Sequence, residues 1–316
     1  MSKKDDKKED EYTEFPCDIC GSKDAIEVPY CREYTGGQVH HICKKCGLVY
    51  VKKRRSWKRI ADAWSDELYS KKAGVLTPSS YTALNPHTKA RLTYVAEFTD
   101  NNLGLKGKKL CDIGAGEGEF MRITSLLGAE VFGVEPSKVN CALIDKLGFK
   151  NFVGAAEDYD THRKKTKDPY KADIVTILWT LEASQNPREM LRISHDILKD
   201  GGYVVIGTGS RILVPFKKPL HRFLSTTPSD THPVDFSFNT LRGILAETGF
   251  ELEYRNPYVE NDLMVVAARK VERGKKIPWE GDDYLQVADF FERWHKESLR
   301  YRWWGQEQVN NASVKK

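Results

Sequence analysis

The stretch that most limits what this chain can fold into is Lys109–Phe120, which reads KLCDIGAGEGEF. An apolar run ending near Asp112 leads into glycines at positions 114, 116 and 118, and then into a helix-compatible stretch, Phe120–Leu127. This layout is typical of a buried first strand that turns into the N-terminus of a helix. Because glycine has no Cβ, a ligand can lie directly against the backbone of such a turn. The stretch therefore predicts a strand–turn–helix unit that binds a nucleotide-like ligand.

The spacing of the glycines distinguishes a dinucleotide cofactor from other nucleotide-like cofactors. A dinucleotide fingerprint requires a third glycine at position 119, where this chain has Glu119. Asp112 would repel a pyrophosphate but suits a ligand that carries an ammonium and a sulfonium. The stretch resembles motif I of the class I S-adenosylmethionine (SAM) methyltransferases. This resemblance implies that the cofactor lies against the loop formed by Asp112 and by Gly114, Ala115 and Gly116.

Two later segments extend the resemblance. Glu130–Ser137 is predicted to be a second strand that ends in Glu135, nineteen residues after Gly116, where an acid binding both ribose hydroxyls is expected. Pro136 follows directly and is assigned to the same site. Phe152–Asp158 is predicted to be a third strand, and the resemblance implies that its Ala156 and Glu157 face the adenine.

A fourth apolar run, Ala172–Ala183, contains Leu178 and Trp179 at its cofactor-facing end. Trp179 either flanks the adenine or the methyl group, or is simply a core tryptophan. In many relatives the equivalent run is of the type VLEH, so Ala183 stands where they have histidine. This difference argues against a catalytic base at that position.

Three further apolar runs complete the pattern: Gly201–Gly209, Phe250–Asn256 and Asp262–Lys270. Strands separated by helical stretches predict a parallel sheet with crossover helices, and nearly continuous apolar runs predict strands buried on both faces. The resemblance implies an α/β fold with the seven-stranded, Rossmann-like sheet of the SAM methyltransferases. We assign residues 105–272 to this domain.

Two CxxC pairs indicate a metal site near the N-terminus. Cys17 and Cys20 are separated by 22 residues from Cys43 and Cys46, and a glycine follows each pair. Four thiolates so spaced can bind Zn²⁺ tetrahedrally, so residues 15–55 are predicted to form a zinc ribbon with a structural metal. A disulfide or a redox CxxC is a weaker alternative. The remaining cysteines are expected to be buried thiols or surface residues: Cys31, Cys111 and Cys141.

The sequence after the second pair, CGLVYVKKRRSW, resembles the N-terminal zinc-binding segment of a bacterial methyltransferase family that includes the sugar C-methyltransferases and other polysaccharide-cluster enzymes. The resemblance implies a small-molecule acceptor, a nucleotide-linked sugar or a polysaccharide precursor. Only Val271–Lys316 follows the last predicted strand, so the further C-terminal domain of the sugar C-methyltransferases is not expected here.

The loop-rich stretch Thr208–Ser237 is predicted to carry the acceptor side, because long loops at the carboxyl end of a parallel sheet hold substrates in α/β proteins. Its basic residues could hold a phosphate or form a solvated surface: Arg211, Lys217, Lys218, His221, Arg222 and His232. His232 matches a histidine of the sugar C-methyltransferases and is our candidate general base, although Thr231 replaces the preceding acid. A histidine with no base role is the alternative.

The remaining segments are predicted to flank or cover the two main domains. Residues 1–14 are expected to be a disordered leader, 56–104 a helical cover, and 273–316 a helical tail that packs on its own chain or builds a dimer. With 50 Lys and Arg against 45 Asp and Glu, the charge of +5 does not indicate a nucleic-acid partner. No signal or membrane segment is evident, so a soluble cytoplasmic protein is expected. The competing functions are an RNA methyltransferase that grips RNA with its ribbon, a SAM-fold scaffold without catalysis, and a dehydrogenase.

Overall fold

A computed structural model describes residues 12–35, 39–63, 86–211, 220–224 and 232–301. The N-terminal part consists of short elements around the two cysteine pairs. In chain order they are β1 (Tyr12–Glu14), β2 (Ala25–Glu27), α1 (Cys31–Tyr34), β3 (His40–Cys43), β4 (Val49–Val51), β5 (Lys53–Arg55) and α2 (Trp57–Ala63). β1 pairs antiparallel with β5, so residues 12–14, which the sequence assigned to a disordered leader, form a strand.

The remaining elements alternate between helices and strands, as the apolar runs predict. In chain order they are α3 (Pro86–Leu103), β6 (Lys109–Ile113), α4 (Glu119–Leu126), β7 (Glu130–Glu135), α5 (Lys138–Lys146), β8 (Lys150–Val153), α6 (Ala156–Thr166), β9 (Ala172–Leu178), α7 (Pro187–Ile197), β10 (Leu198–Thr208), α8 (Leu220–Leu224), β11 (Val234–Asp235), α9 (Phe238–Glu247), β12 (Phe250–Arg255), β13 (Met264–Lys270) and α10 (Tyr284–Tyr301). A 3-10 turn covers Leu181–Ala183.

Seven strands form the large sheet in the order β12-β13-β10-β9-β6-β7-β8. The neighbours from β10 to β8 are parallel, whereas β13 runs antiparallel to both β10 and β12. The central strands β6 and β9 are almost entirely buried, because helices cover both faces of the sheet. The predicted α/β fold with a seven-stranded Rossmann-like sheet is confirmed.

Two predicted strands end several residues earlier in the structure than in the sequence pattern. The third ends at Val153, and α6 begins at Ala156 because the Asp158 carboxylate accepts a hydrogen bond from the Ala155 amide at 3.1 Å. The fourth ends at Leu178, since Trp179 has a left-handed φ of 50° that a strand cannot contain. Ala156, Glu157 and Ala183 therefore lie beyond the strands to which the pattern assigned them.

The N-terminal ribbon is joined to the rest of the chain by a shared sheet. β11, which follows His232, pairs antiparallel with β4 and completes a four-stranded sheet in the order β11-β4-β3-β2. Helix α10 packs on the same ribbon, where Val287, Phe291 and Trp294 are buried in one apolar cluster with residues of β3 and β4. Helix α10 thus packs on its own chain. Among the described residues, no helix is both long and apolar enough to cross a membrane.

Candidate functional site

A cavity of about 430 Å³ opens at the carboxyl ends of β6, β7, β8 and β9. The order of strands along the sheet reverses between β6 and β9, and open α/β sheets bind ligands at such a switch point. All ten residues that the sequence assigned to the cofactor line this cavity: Asp112, Gly114, Ala115, Gly116, Glu135, Pro136, Ala156, Glu157, Leu178 and Trp179. The structure therefore brings together residues that span 68 positions of the chain, from 112 to 179.

The glycine turn requires glycine for two different reasons. At Gly114 a Cβ atom would collide with the Thr180 side chain, and φ is 76°. At Gly116, where φ is 54°, a Cβ atom would meet no atom of the described residues within 4 Å. The first glycine permits close packing between β6 and the end of β9. The second leaves backbone open to the cavity, as a cradle for a ligand requires.

Glu135 is fixed by backbone amides at the end of β7. Its carboxylate accepts hydrogen bonds from the amides of Gly116 and Ser137, each at 2.9 Å, and from the Asn140 side chain at 3.3 Å. Burial raises the pKa of Glu135 to about 7 despite these donors. Each carboxylate oxygen has more than one lone pair, so the group can still accept bonds from a pair of ligand hydroxyls.

The cavity contains further carboxyl groups whose ionised form is disfavoured by burial. Asp112 is 2% exposed and accepts a 2.6 Å hydrogen bond from Thr176, and burial raises its pKa to about 6. Burial also raises the pKa of Glu157 to about 7. Within the described residues, no ion pair is formed by Asp112, Glu135 or Glu157. Glu119, in contrast, pairs with Arg122 at 2.6 Å. A cationic ligand would stabilise the ionised carboxylates.

Helices from outside the sheet close the cavity. Trp57, Ile60 and Ala61 of α2 and Thr88 and Leu92 of α3 contribute to its wall. Residues of the segment directly after the ribbon thus form part of the cavity wall. Residues 64–85 of the helical cover predicted over 56–104 lie outside the described residues.

The four predicted metal ligands converge. The sulfur atoms of Cys17, Cys20, Cys43 and Cys46 all lie within 4.8 Å of one another, and the pairs Cys17–Cys46 and Cys20–Cys43 are 3.5 Å apart. A tetrahedral zinc site with ~2.3 Å bonds has sulfur–sulfur separations of about 3.8 Å. The four thiols therefore fit a metal of that size, with every coordination position supplied by the protein.

A buried ion pair joins the first cysteine pair to the cavity. Arg54 and Asp18, both almost fully buried, form a bidentate pair at 2.6 and 3.0 Å. Arg54 also donates to the carbonyl oxygen of Gln185 at 2.8 Å, and Gln185 lines the cavity. Arg188 donates to the Asp18 carbonyl oxygen at 3.0 Å. Sequence reasoning missed this link because it joins segments that are far apart in the chain.

The second cysteine pair touches the segment before α10. The Asp282 amide donates to the Cys46 carbonyl oxygen at 3.1 Å. A Cβ atom on Gly47 would overlap Asp282, and one on Gly281 would overlap the Cys46 backbone. The two backbones therefore approach so closely that only glycine is accommodated at either position.

The structure does not bring the predicted base to the cavity. His232 is half-buried and lies just before β11, and it is not among the described residues that line the cavity. Arg211 of the predicted basic loop forms an ion pair with Asp282 and is buried, so it supports the fold rather than offering a free cation. Lys217 and Lys218 lie outside the described residues.

Comparisons with known proteins agree with this geometry. A family model described as a methyltransferase domain matches residues 87–254. Ubiquinone biosynthesis O-methyltransferases from Marinobacter nauticus and Pseudomonas aeruginosa are 28% identical over 136 residues and 31% identical over 117 residues. These matches cover 42% and 36% of this chain and 56% and 50% of the relatives. The chain spans about half the length of the curated relatives it matches.

Solved structures show the same fold. Magnesium protoporphyrin IX methyltransferase from Synechocystis, with bound S-adenosylhomocysteine (SAH), matches with a TM-score of 0.50 at 13% identity, over 68% of this chain and 100% of that one. A Burkholderia thailandensis 1,6-didemethyltoxoflavin-N1-methyltransferase matches with a TM-score of 0.50 at 14% identity, over 75% of this chain and 97% of that one. At these identities the similarity concerns the fold alone.

Proposed function

The chain belongs to the methyltransferase domain family, and from that premise we propose that it transfers a methyl group from SAM to a small-molecule acceptor. The observation that carries the proposal is the set of buried carboxyl groups around the open backbone of Gly116. Asp112 distinguishes between cofactors, because an anionic pyrophosphate would leave its buried carboxylate without compensation, whereas SAM carries a sulfonium and an ammonium. A dehydrogenase is disfavoured for this reason.

Each part of the cavity would perform a distinct task. When bound, SAM supplies a methyl group on a positively charged sulfur. Asp112 would attract the cationic end of the cofactor, Glu135 would hold the ribose hydroxyls, and Ala156 and Glu157 would lie along the adenine. Since the methyl group is already activated, the protein contributes chiefly alignment and exclusion of water, and positioning is worth on the order of 7–11 kcal/mol.

Two acceptor classes are proposed on separate grounds. The resemblance of the ribbon to that of the sugar C-methyltransferases supports a nucleotide-linked sugar or a polysaccharide precursor. The relatives named ubiquinone biosynthesis O-methyltransferases support O-methylation of a small-molecule hydroxyl instead. His232 stays a candidate base, but its absence from the described lining of the cavity weakens that proposal.

For the four cysteines we propose a structural Zn²⁺. The convergence of four thiols, the absence of a free coordination position and the glycine after each pair support this assignment. The metal would hold the ribbon against the methyltransferase domain and take no part in methyl transfer.

The function can be tested by incubating the purified protein with SAM and a panel of catechols, nucleotide-sugars and RNA, and measuring SAH. We expect turnover with a catechol or a nucleotide-sugar and none with RNA. Turnover with RNA alone would favour the rival in which the ribbon grips nucleic acid. Tight SAM binding without turnover on any acceptor would favour a scaffold, and no SAM binding would contradict the cofactor assignment.

The raised pKa values predict that SAM binding weakens in acid. In the free protein Asp112 and Glu135 have pKa values of about 6 and about 7, so lowering the pH from about 8 to about 5.5 protonates most of both groups. Asp112 attracts the cationic cofactor, and Glu135 accepts hydrogen bonds from the ribose hydroxyls, best when each is ionised, so the dissociation constant of SAM should rise roughly a hundredfold over this range. Calorimetric titration at several pH values measures the effect. Glu135→Gln should reduce the dependence to the part that Asp112 contributes, and a flat profile for the unmodified protein would contradict the prediction.

A further inference from the structure

The cavity has two ends that differ in chemistry. At the ends of β7 and β8 it is lined by Glu135 and Glu157, the acids proposed to lie along the ribose and the adenine. At the other end it is lined by α2 and α3, through Trp57, Ile60 and Leu92. Because the adenosine part of the cofactor is assigned to the first end, the second end is left for the molecule that receives the methyl group.

Two contacts place α2 and α3 beside the end of β9. Arg91 of α3 lies over the ring of Trp179, the residue that follows β9, at 4.2 Å from the ring centroid. Arg54, which lies three residues before α2 begins, donates a 2.8 Å hydrogen bond to the carbonyl oxygen of Gln185, in the segment after β9. In the sheet, β6 separates β9 from β7 and β8. The two helices therefore lie on the side of the cavity away from the two acids.

The end formed by α2 and α3 is largely apolar. Ile60 is 4% exposed, and Trp57, Ala61 and Leu92 are half-buried. An indole ring beside aliphatic side chains favours a flat aromatic molecule, because stacked rings gain more free energy than the apolar area that they bury. The cavity of about 430 Å³ must also hold the cofactor, so the acceptor group at this end is compact.

The charge of the cavity disfavours an anionic acceptor. Among the described residues that line it there is no lysine, arginine or histidine. Five of the lining residues are acids: Asp112, Glu117, Glu119, Glu135 and Glu157. Arg91 does not line the cavity, and its guanidinium interacts electrostatically with Asp262 and Glu182. A buried anion that no cation compensates is costly, so the phosphates of a nucleotide-sugar do not suit this end.

We propose that α2 and α3 form the acceptor subsite, and that the acceptor is an uncharged aromatic molecule that stacks on Trp57 and carries the hydroxyl to be methylated. This proposal rests on the proposed function and deepens it. In the transfer the hydroxyl oxygen bonds to the methyl carbon, the bond from that carbon to sulfur breaks with its electron pair left on sulfur, and the hydroxyl proton passes to solvent. The products are an aryl methyl ether and SAH.

Calorimetric titration of the SAH-saturated protein with catechol, protocatechuate and UDP-glucose tests the acceptor class. Catechol and protocatechuate share a ring with two neighbouring hydroxyls, and protocatechuate carries one added carboxylate. We expect catechol to bind, protocatechuate to bind at least roughly tenfold more weakly, and UDP-glucose not to bind. Equal affinities for catechol and protocatechuate, binding of UDP-glucose, or no binding of catechol would each overturn the proposal.

Variants of Trp57 test the stacking. Trp57→Ala should weaken catechol binding roughly tenfold, whereas Trp57→Phe, which keeps an aromatic ring, should lose far less. Tyr203→Ala is the matched control and should leave catechol binding unchanged. Tyr203 is also half-buried, but it pairs with Ile174 near the amino ends of the strands, at the opposite edge from the cavity. Normal catechol binding by Trp57→Ala would contradict the role of this ring.

A gain of function tests the charge argument. Thr88→Lys adds a cation to the cavity wall and should raise the affinity for protocatechuate at least roughly fivefold. Asn101→Lys adds the same charge to an exposed position of the same helix, about 20 Å farther along, and should not. If the two variants bound protocatechuate alike, the lack of a cation would not set the acceptor class.

The affinity for SAH separates this proposal from the function on which it rests. All of these variants should bind SAH as the unmodified protein does. Loss of SAH affinity in Trp57→Ala would place Trp57 in the cofactor site and overturn its role as acceptor platform. Failure of SAH to bind the unmodified protein would overturn the cofactor assignment, and this proposal with it.

Discussion

Replacing Asp112 with asparagine should weaken SAM binding by roughly a hundredfold or more while the free protein remains folded. The carboxylate is 2% exposed and faces no cation among the described residues, so its charge in the free protein is stabilised only by the Thr176 hydroxyl. With a pKa of about 6 against an ordinary 3.8, keeping it ionised at neutral pH or above costs the free protein on the order of 3 kcal/mol. A bound cation recovers that cost, and asparagine cannot provide the attraction.

The same variant gives an internal control. Because the asparagine side chain would carry no charge into the core, the melting temperature of the free protein should stay the same or rise, which separates lost binding from lost folding. Thr176→Val removes the hydroxyl partner but keeps the carboxylate, so it should change SAM affinity far less. Calorimetry with SAM and thermal melts without it provide both measurements. Unchanged affinity in Asp112→Asn would contradict the role of this acid.

Removing the metal should be the most destructive single change. Cys43→Ser deletes one of four ligands, and structural zinc sites contribute roughly 10–16 kcal/mol of binding free energy to small zinc domains. We expect Cys43→Ser to contain no zinc, to expose α10 to proteolysis and to bind SAM far more weakly, by about tenfold or more. The last effect follows because Arg54 and Arg188 tie the first cysteine pair to the Gln185 segment of the cavity wall.

Elemental analysis, limited proteolysis and SAM titration measure these three effects. Cys31→Ala is the matched control, since Cys31 is buried in the same ribbon but is not part of the metal group. It should retain one zinc per chain and near-normal SAM affinity. If Cys43→Ser kept its zinc, or if the metal-free protein kept a protected α10, the proposed role of the metal would be wrong.

Local patterns were sufficient to predict the sheet and the cofactor cavity. A glycine turn after β6, an acid at the end of β7 and apolar runs of strand length each depend on neighbours in the sequence. The topology of a parallel sheet then brings the ends of its strands to one edge, so residues from Asp112 to Trp179 meet without further information. The roles assigned to these residues stay predictions.

Contacts between distant segments escaped prediction for a physical reason. The pairing of Val234–Asp235 with β4, the Arg54–Asp18 pair and the packing of α10 on the ribbon depend on how separate units dock. The hydrophobic periodicity of a sequence contains no information about such docking. A φ of 50° at Trp179 also has no signature in an apolar run.

The pairing of β11 with β4 has a consequence for synthesis on the ribosome. Strand β4 ends at Val51, and roughly 180 residues must be added before Val234 is available, which takes roughly 10 to 40 s at ordinary elongation rates. During that interval the nascent N-terminal sheet has an open edge, and open edges invite aggregation. Zinc bound early would hold the nascent ribbon in its folded form while that edge is still open. Metal supply during translation should therefore affect the yield of native protein more than metal supply afterwards.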